Sequence, residues 1–100
     1  MNVIIEGHLY QLEHFEKDPG EQHCETLQFI EKDAAMNTIR NGTTNEEVLT
    51  VLIDRLKYLG DRLPSRETSI AITKCEEALL WLKKRTEDRK ARGVEGTSKA

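Results

Sequence analysis

One hundred residues make one domain with a modest core, since chains of this size bury only around two thirds of their unfolded surface. A net charge of −3 at pH 7 excludes a generic nucleic-acid coat, because non-specific phosphate binding needs a basic face; any anion site has to be local. A charged fraction of 33% with 5% aromatics suits a helix-rich globule or a partly solvated assembly in which oligomerisation supplies the missing burial.

Cys24 and Cys75 stand far apart in a presumed strand and a presumed helix, which implies no disulfide framework. The opening MNVIIEGHLY lacks a basic region followed by an apolar stretch and a cleavage site, and no run approaches the roughly eighteen apolar residues of a membrane span. A cytosolic protein is expected.

From Asn2 to Glu16 an imperfect alternation, rich in strand formers at Leu9, Tyr10, Leu12 and Phe15, predicts a first strand. Asp18, Pro19 and Gly20 supply the dihedrals of a tight reversal. A second alternating run from His23 to Lys32 completes a β-hairpin, with Glu25, Leu27, Phe29 and Glu31 on one face and Thr26, Gln28 and Ile30 on the other. Two strands alone are marginal in water, so the hairpin needs helices or another chain's strands. Thr38 to Arg40 is a candidate third short strand.

Asn41 and Gly42 break the chain, and Thr44 with Glu47 then fits a capping box before an acidic first turn. Val48, Leu52, Leu56, Leu59 and Leu63 predict one apolar stripe, widened by Leu49, Val51 and Ile53, along a helix running to about Arg62, with Gly60 a candidate early fray. Pro64 stops that helix and Ser65 caps the next almost without a loop. Thr68, Ala71, Ile72, Cys75, Ala78, Leu79 and Leu82 carry its stripe, and Gly93 after Lys90 and Arg92 ends it. The second helix outruns the first, and Leu80 and Trp81 leave apolar surface near the overhang for partner helices to cover.

The fold class is therefore α+β: an N-terminal antiparallel β-hairpin with its candidate third strand, then a long two-helix antiparallel hairpin that packs in a homo-oligomer. Residues 1–93 form a single domain, with strands over 1–40 and the helical hairpin over 43–93, and residues 94–100 form a flexible tail.

His8, His14, His23 and Cys24 do not form the close ligand pairs zinc needs, so exposed strand histidines and no metal are expected. No phosphate loop, nucleophile elbow or Cys positioned by a His can be read, and Glu76 and Glu77 point about 100° apart on a helix, so they cannot converge on one substrate. The protein is expected not to be an enzyme and to need no cofactor.

Local anion sites have better signals. Lys83, Lys84, Arg85, Arg89, Lys90 and Arg92 crowd three turns, with Arg85, Arg89 and Arg92 on one face. Arginine's planar fork grips phosphate bidentately, so the row reads as a nucleotide clamp, or as a solvated face that complements the helix dipole. Ser65, Arg66, Thr68 and Ser69 open the second helix with amides, hydroxyls and one guanidinium, an arrangement that holds phosphate or merely caps. Thr73 extends that polar strip, and Tyr58 is either a stacking surface for a base or ribose or a rim residue of the core.

The runs NGTTNEEVLTVLIDRL and PSRETSIAITKCEEALLWLKKRTEDRKARGVEGT closely resemble the helical hairpin of the phage anti-defence sponge proteins that act against Thoeris and CBASS. The preceding strands, with LQFIEK, resemble the Thoeris anti-defence branch. The resemblance implies a non-enzymatic binder in the cytoplasm of the infected bacterial host, which sequesters an immune messenger so that its effector is never triggered. For the Thoeris branch the messenger is 1′′–3′ glycocyclic ADP-ribose. Relatives assemble as dimers or as hexamers built from dimers, and some hold cyclic di- or trinucleotides in a second class of pocket.

By the same resemblance, the family's late aromatic of the first helix falls on Tyr58, and the arginine of the KRT motif falls on Arg85. Thr68 stands where asparagine is usual, and Arg66, Ser69 and Thr73 mark the place of a cyclic oligonucleotide pocket. With Arg89 as a second charged donor, these residues form the expected ligand set. A sponge for CBASS cyclic oligonucleotides and a phage adaptor without ligand are the alternatives. The expected partners are a cyclic ADP-ribose or cyclic oligonucleotide and further copies of the chain, with no DNA and no membrane.

Overall fold

The computed structural model describes residues 1–17, 19–20 and 24–93; the expected tail over 94–100 lies outside them. Among the described residues five strands precede two helices: β1 (Asn2–Ile5), β2 (Leu9–Glu13), β3 (Cys24–Gln28), β4 (Glu31–Lys32), β5 (Thr38–Arg40), α1 (Asn45–Arg62) and α2 (Arg66–Ala91). The chain divides into two compact units, Met1–Thr43 and Thr44–Ala100. The α+β class and the antiparallel strands followed by a helical hairpin are as expected.

The first unit holds a three-stranded antiparallel sheet in the order β1-β2-β3. The single strand expected over Asn2 to Glu16 is two. Gly7 takes φ +77, a region open to glycine at little cost, and His8 N donates to Ile5 O at 3.0 Å, reversing the chain in a tight turn. That turn lacks the Asn-Gly or Pro-Gly signature that marked the reversal at Gly20, where φ is +85. Tyr10 faces Leu27 across β2 and β3, and its ring meets Phe29 edge-on at 5.9 Å and 86°.

The second expected strand also breaks. Phe29 bridges Thr43 in parallel, Ile30 N donates to Thr43 O, and Thr43 N donates to Gln28 O, so the alternation ends at Gln28. β4 pairs instead with β5, the candidate third strand, and Glu31 forms an ion pair with Arg40. Asp33 tightens the connection by accepting the amides of Ala35 and Asn37 with Oδ1.

In the second unit Thr44 Oγ1 accepts the amide of Glu47 at 3.1 Å, with Glu46 and Glu47 in the first turn. The seam toward α2 runs through Leu49, Ile53, Leu56 and Gly60, rather than along the expected stripe through Leu52, Leu59 and Leu63, which are 43%, 39% and 79% exposed. One facing helix covers only one side of α1, and the remaining apolar residues are left outward. Gly60 does not fray the helix; a Cβ there would lie 3.4 Å from Thr68 Cγ2, so the glycine sets how closely the helices approach.

On α2 the half-buried residues Thr68, Ala71, Ile72, Cys75, Leu79, Leu82, Thr86 and Arg89 recur at helical spacing. The stripe is as expected, except that Ala78 is exposed. Gly93 at φ +69 ends the helix, its amide donating to Lys90 O. With 26 residues against 18, α2 is about 39 Å long and α1 about 27 Å. Ile53 is the single buried residue among those described. Trp81, 64% exposed, is no core residue of the chain, so its truncation is not a test of the hairpin's own stability.

Candidate functional site

The connection Leu63–Pro64–Ser65 returns α2 beside the end of α1, and this gathers most of the expected ligand set at one end of the hairpin. Arg66, Thr68, Ser69 and Thr73 occupy the first turns of α2, and the ion pair of Lys57 with Glu76, 3.2 Å long, fixes the height of the neighbouring Tyr58 against them.

Tyr58 is 57% exposed, with its hydroxyl accepting from Arg62 Nη1 at 3.1 Å and the Arg62 guanidinium carbon 5.4 Å from its ring centroid. Arg62 is a member of this surface that the sequence reading missed; its i,i+4 spacing from an exposed tyrosine was the available signal. Together they form a flat aromatic face with a cation beside it, which suits a base or ribose next to a phosphate.

The start of α2 is less open to anions than its composition suggests. Ser65 Oγ accepts the amide of Thr68 at 3.1 Å and donates its proton to Thr68 Oγ1 at 2.9 Å. Ser69 Oγ donates to Ser65 O, and Thr73 Oγ1 donates to Ser69 O. The protons of Ser65, Ser69 and Thr73 are thus committed within the helix. A phosphate there would draw on the first amides and the exposed Arg66, against the charge of Glu67 in the same turn.

Arg85 and Arg89 lie elsewhere. Arg85 stands nine residues beyond Glu76, about 14 Å along the axis, and some 24 Å from Ser69. It is exposed, while Arg89 is half-buried. Measured from Glu76, which pairs with Lys57 beside Tyr58, Arg85 and Arg66 lie at similar axial distances in opposite directions, about 14 and 15 Å.

Among the described residues no three His, Cys, Asp or Glu side chains are grouped to hold a metal ion. His14 Nε2 lies 2.8 Å from Glu25 Oε1, and His8 Nδ1 lies 3.0 Å from Glu6 O; His23 is outside the described residues. Among the described residues no helix is long and apolar enough to cross a membrane.

Comparison with known proteins bears on the same hairpin. The family model described as "Acb2/Tad1, hairpin domain" matches residues 24–87, which include every member of the ligand set except Arg89. The chain is also 52% identical over 58 residues to Thoeris anti-defense 1 of Bacillus phage SBSphiJ7. That match takes in 57% of this chain and 41% of the phage protein, so the chain spans less than half of that relative. With more than half of its residues under the family model, the chain belongs to the Acb2/Tad1 hairpin family.

Proposed function

We propose that this chain is a phage anti-defence protein that binds and sequesters a host cyclic nucleotide signal without degrading it, glycocyclic ADP-ribose being the favoured ligand. The observation that carries the reading is the 52% identity to a protein named for anti-defence against Thoeris. The surface is compatible with it. Tyr58 with Arg62 offers a stacking face and a cation, and Arg85 offers a second fork for a pyrophosphate, whose burial is tolerable only when charged donors replace its water.

A site using both Tyr58 and Arg85 spans about 14 Å along one hairpin, a length that two copies sharing the ligand would shorten. A dimer, or a hexamer built as a trimer of dimers, follows from this reading, acting in the cytoplasm of the infected bacterium. The alternative ligand is a cyclic di- or trinucleotide at Arg66, Ser69 and Thr73. There the hydroxyl protons of Ser69 and Thr73 are held by helix carbonyls, which leaves the first amides and Arg66 as donors.

The decisive experiment mixes purified protein with glycocyclic ADP-ribose, filters away free ligand, then heats the protein and identifies what is released by chromatography and mass spectrometry. Intact messenger is the expected result. A changed product would make the protein an enzyme, and no retention of this messenger or of cyclic oligonucleotides would leave an adaptor. Arg85→Ala should weaken messenger binding by about 2 kcal/mol, roughly thirtyfold, while the helical circular dichroism is kept. Unchanged affinity in titration calorimetry would remove Arg85 from the site; Arg66→Ala should matter only if the cyclic oligonucleotide reading holds.

A further inference from the structure

The step from β5 to Thr43 carries chemistry that the ligand set does not use. Gly42 is there of necessity: a Cβ on it would stand within 2.8 Å of the Gln28 and Phe29 backbone, so a side chain does not fit where Thr43 joins Gln28 and Ile30. Nothing comparable fixes the residue before it. Asn41 is exposed and lies one position past β5, and its Oδ1 accepts the Gly42 amide at 3.0 Å. Among the described residues that amide donates to no strand carbonyl.

We propose that Asn41 is a site of spontaneous covalent modification, at which the Gly42 nitrogen closes on the Asn41 carboxamide carbon and the residue becomes aspartate or isoaspartate. An oxygen 3.0 Å from the nitrogen places its own carbon, one C=O bond of about 1.2 Å further, no more than about 4 Å away. A turn about χ2, which is soft in an exposed carboxamide, brings that carbon onto the nitrogen. Glycine has no Cβ to obstruct the succinimide ring that forms.

In the first step Gly42 N loses its proton and bonds to Asn41 Cγ; the Cγ–Nδ2 bond breaks, and Nδ2 leaves with that proton as ammonia. Water, the sole co-reactant, then opens the ring. Addition at Cγ breaks the Cγ–N bond and gives aspartate. Addition at the Asn41 main-chain carbonyl carbon breaks its bond to Gly42 N and gives isoaspartate, with the main chain now running through Cγ. Either way one water hydrogen returns to Gly42 N and the rest of the water completes the carboxyl group.

The other asparagines, Asn2, Asn37 and Asn45, precede Val3, Thr38 and Glu46, which belong to β1, β5 and the first turn of α1. Amides held in regular structure behind a side chain reach the attacking geometry far more rarely. The product also matters more at position 41. Isoaspartate lengthens the main chain by one carbon just before Thr43, whose amide donates to Gln28 O at 2.8 Å and whose carbonyl accepts Ile30 N at 2.9 Å, against the tightly packed Gly42. Modification therefore loosens this junction as the protein ages, and the α1–α2 seam, made within Thr44–Ala100, is kept.

Peptide mapping of the folded full chain after incubation in warm, mildly alkaline buffer tests the site. Trypsin cleaves after Arg40 and Arg55, and electron-transfer fragmentation of that peptide separates position 41 from Asn45 and aspartate from isoaspartate. Position 41 should convert at least about tenfold faster than Asn2, Asn37 or Asn45. Asn41→Gln, whose longer side chain would have to close a larger ring, should lose the conversion with its helical circular dichroism intact. In hydrogen exchange, the isoaspartate fraction should lose protection at Ile30 and Thr43 and keep it along α1 and α2. Freshly purified Asn41→Asp, which carries the product's charge without the extra carbon, should be protected like the unaged parent.

Conversion no faster at Asn41 than at the other asparagines, or an unchanged rate in Asn41→Gln, would overturn the site. Full protection at Ile30 and Thr43 in the isoaspartate fraction, or equal loss in Asn41→Asp, would overturn the effect assigned to the longer chain.

Discussion

Ile53→Ala should lower the stability of the helical hairpin by about 3 kcal/mol, the usual cost of truncating a buried isoleucine. Ile53 is 8% exposed and is the one buried residue among those described. It sits in the α1 seam between Leu49 and Leu56, against a stripe of half-buried α2 residues. With a core this thin, few neighbours can move in to fill the space three carbons leave, so the cavity term is fully felt. Thermal denaturation followed by the helical signal should show the midpoint fall by more than about 12 °C. A fall of only a few degrees would mean that the seam is not what holds α1 to α2. Leu63→Ala, at a site 79% exposed, is the matched control and should be nearly silent in the same experiment.

Gly42→Ala is expected to be comparably damaging in the other unit, by about 3 kcal/mol, for the opposite reason. A Cβ at Gly42 would lie 2.6 Å from the Phe29 carbonyl carbon and 2.8 Å from that of Gln28, and closer still to the Gln28 oxygen. These are backbone atoms and cannot rotate aside. They also belong to the junction where Thr43 N donates to Gln28 O and Ile30 N donates to Thr43 O, so relief of the clash breaks ladder bonds. Amide exchange should rise at Ile30 and Thr43 while the α1–α2 amides keep their protection. Unchanged protection at both would show that the segment shifts at no cost.

The helical hairpin was legible because its signals are local: Thr44 and Ser65 cap by their own hydroxyls, Pro64 forbids continuation, and Gly93 adopts the left-handed stop. The strands were less so. Gly7 turns the chain with no partner residue to announce it, and the break after Gln28 is enforced by Thr43, fifteen residues on, which no window around Phe29 contains. The seam of α1 was misplaced for a similar reason. Leu52 and Leu59 are as hydrophobic as Leu49 and Leu56, and only the position of α2 decides which pair is covered. In the candidate site, Tyr58 and the start of α2 were readable as residue types at helical spacing, while the stacking of Arg62 and the commitment of the hydroxyl protons are matters of rotamer.

The three-residue link between Arg62 and Arg66 has a kinetic consequence. The first contacts between α1 and α2, around Gly60 and Thr68, close a loop of only eight residues, and each further turn adds to a seam already begun. Closing so short a loop takes tens of nanoseconds, and a seam that grows outward from it never waits on distant parts of the chain. The hairpin is thus built to zip from its turn, with Ile53 locked midway and the basic end of α2 settling last. Substitutions at Gly60, Pro64 and Thr68 are therefore expected to change the refolding rate in stopped-flow measurements more than substitutions at residues that fill the far seam, a property separate from final stability.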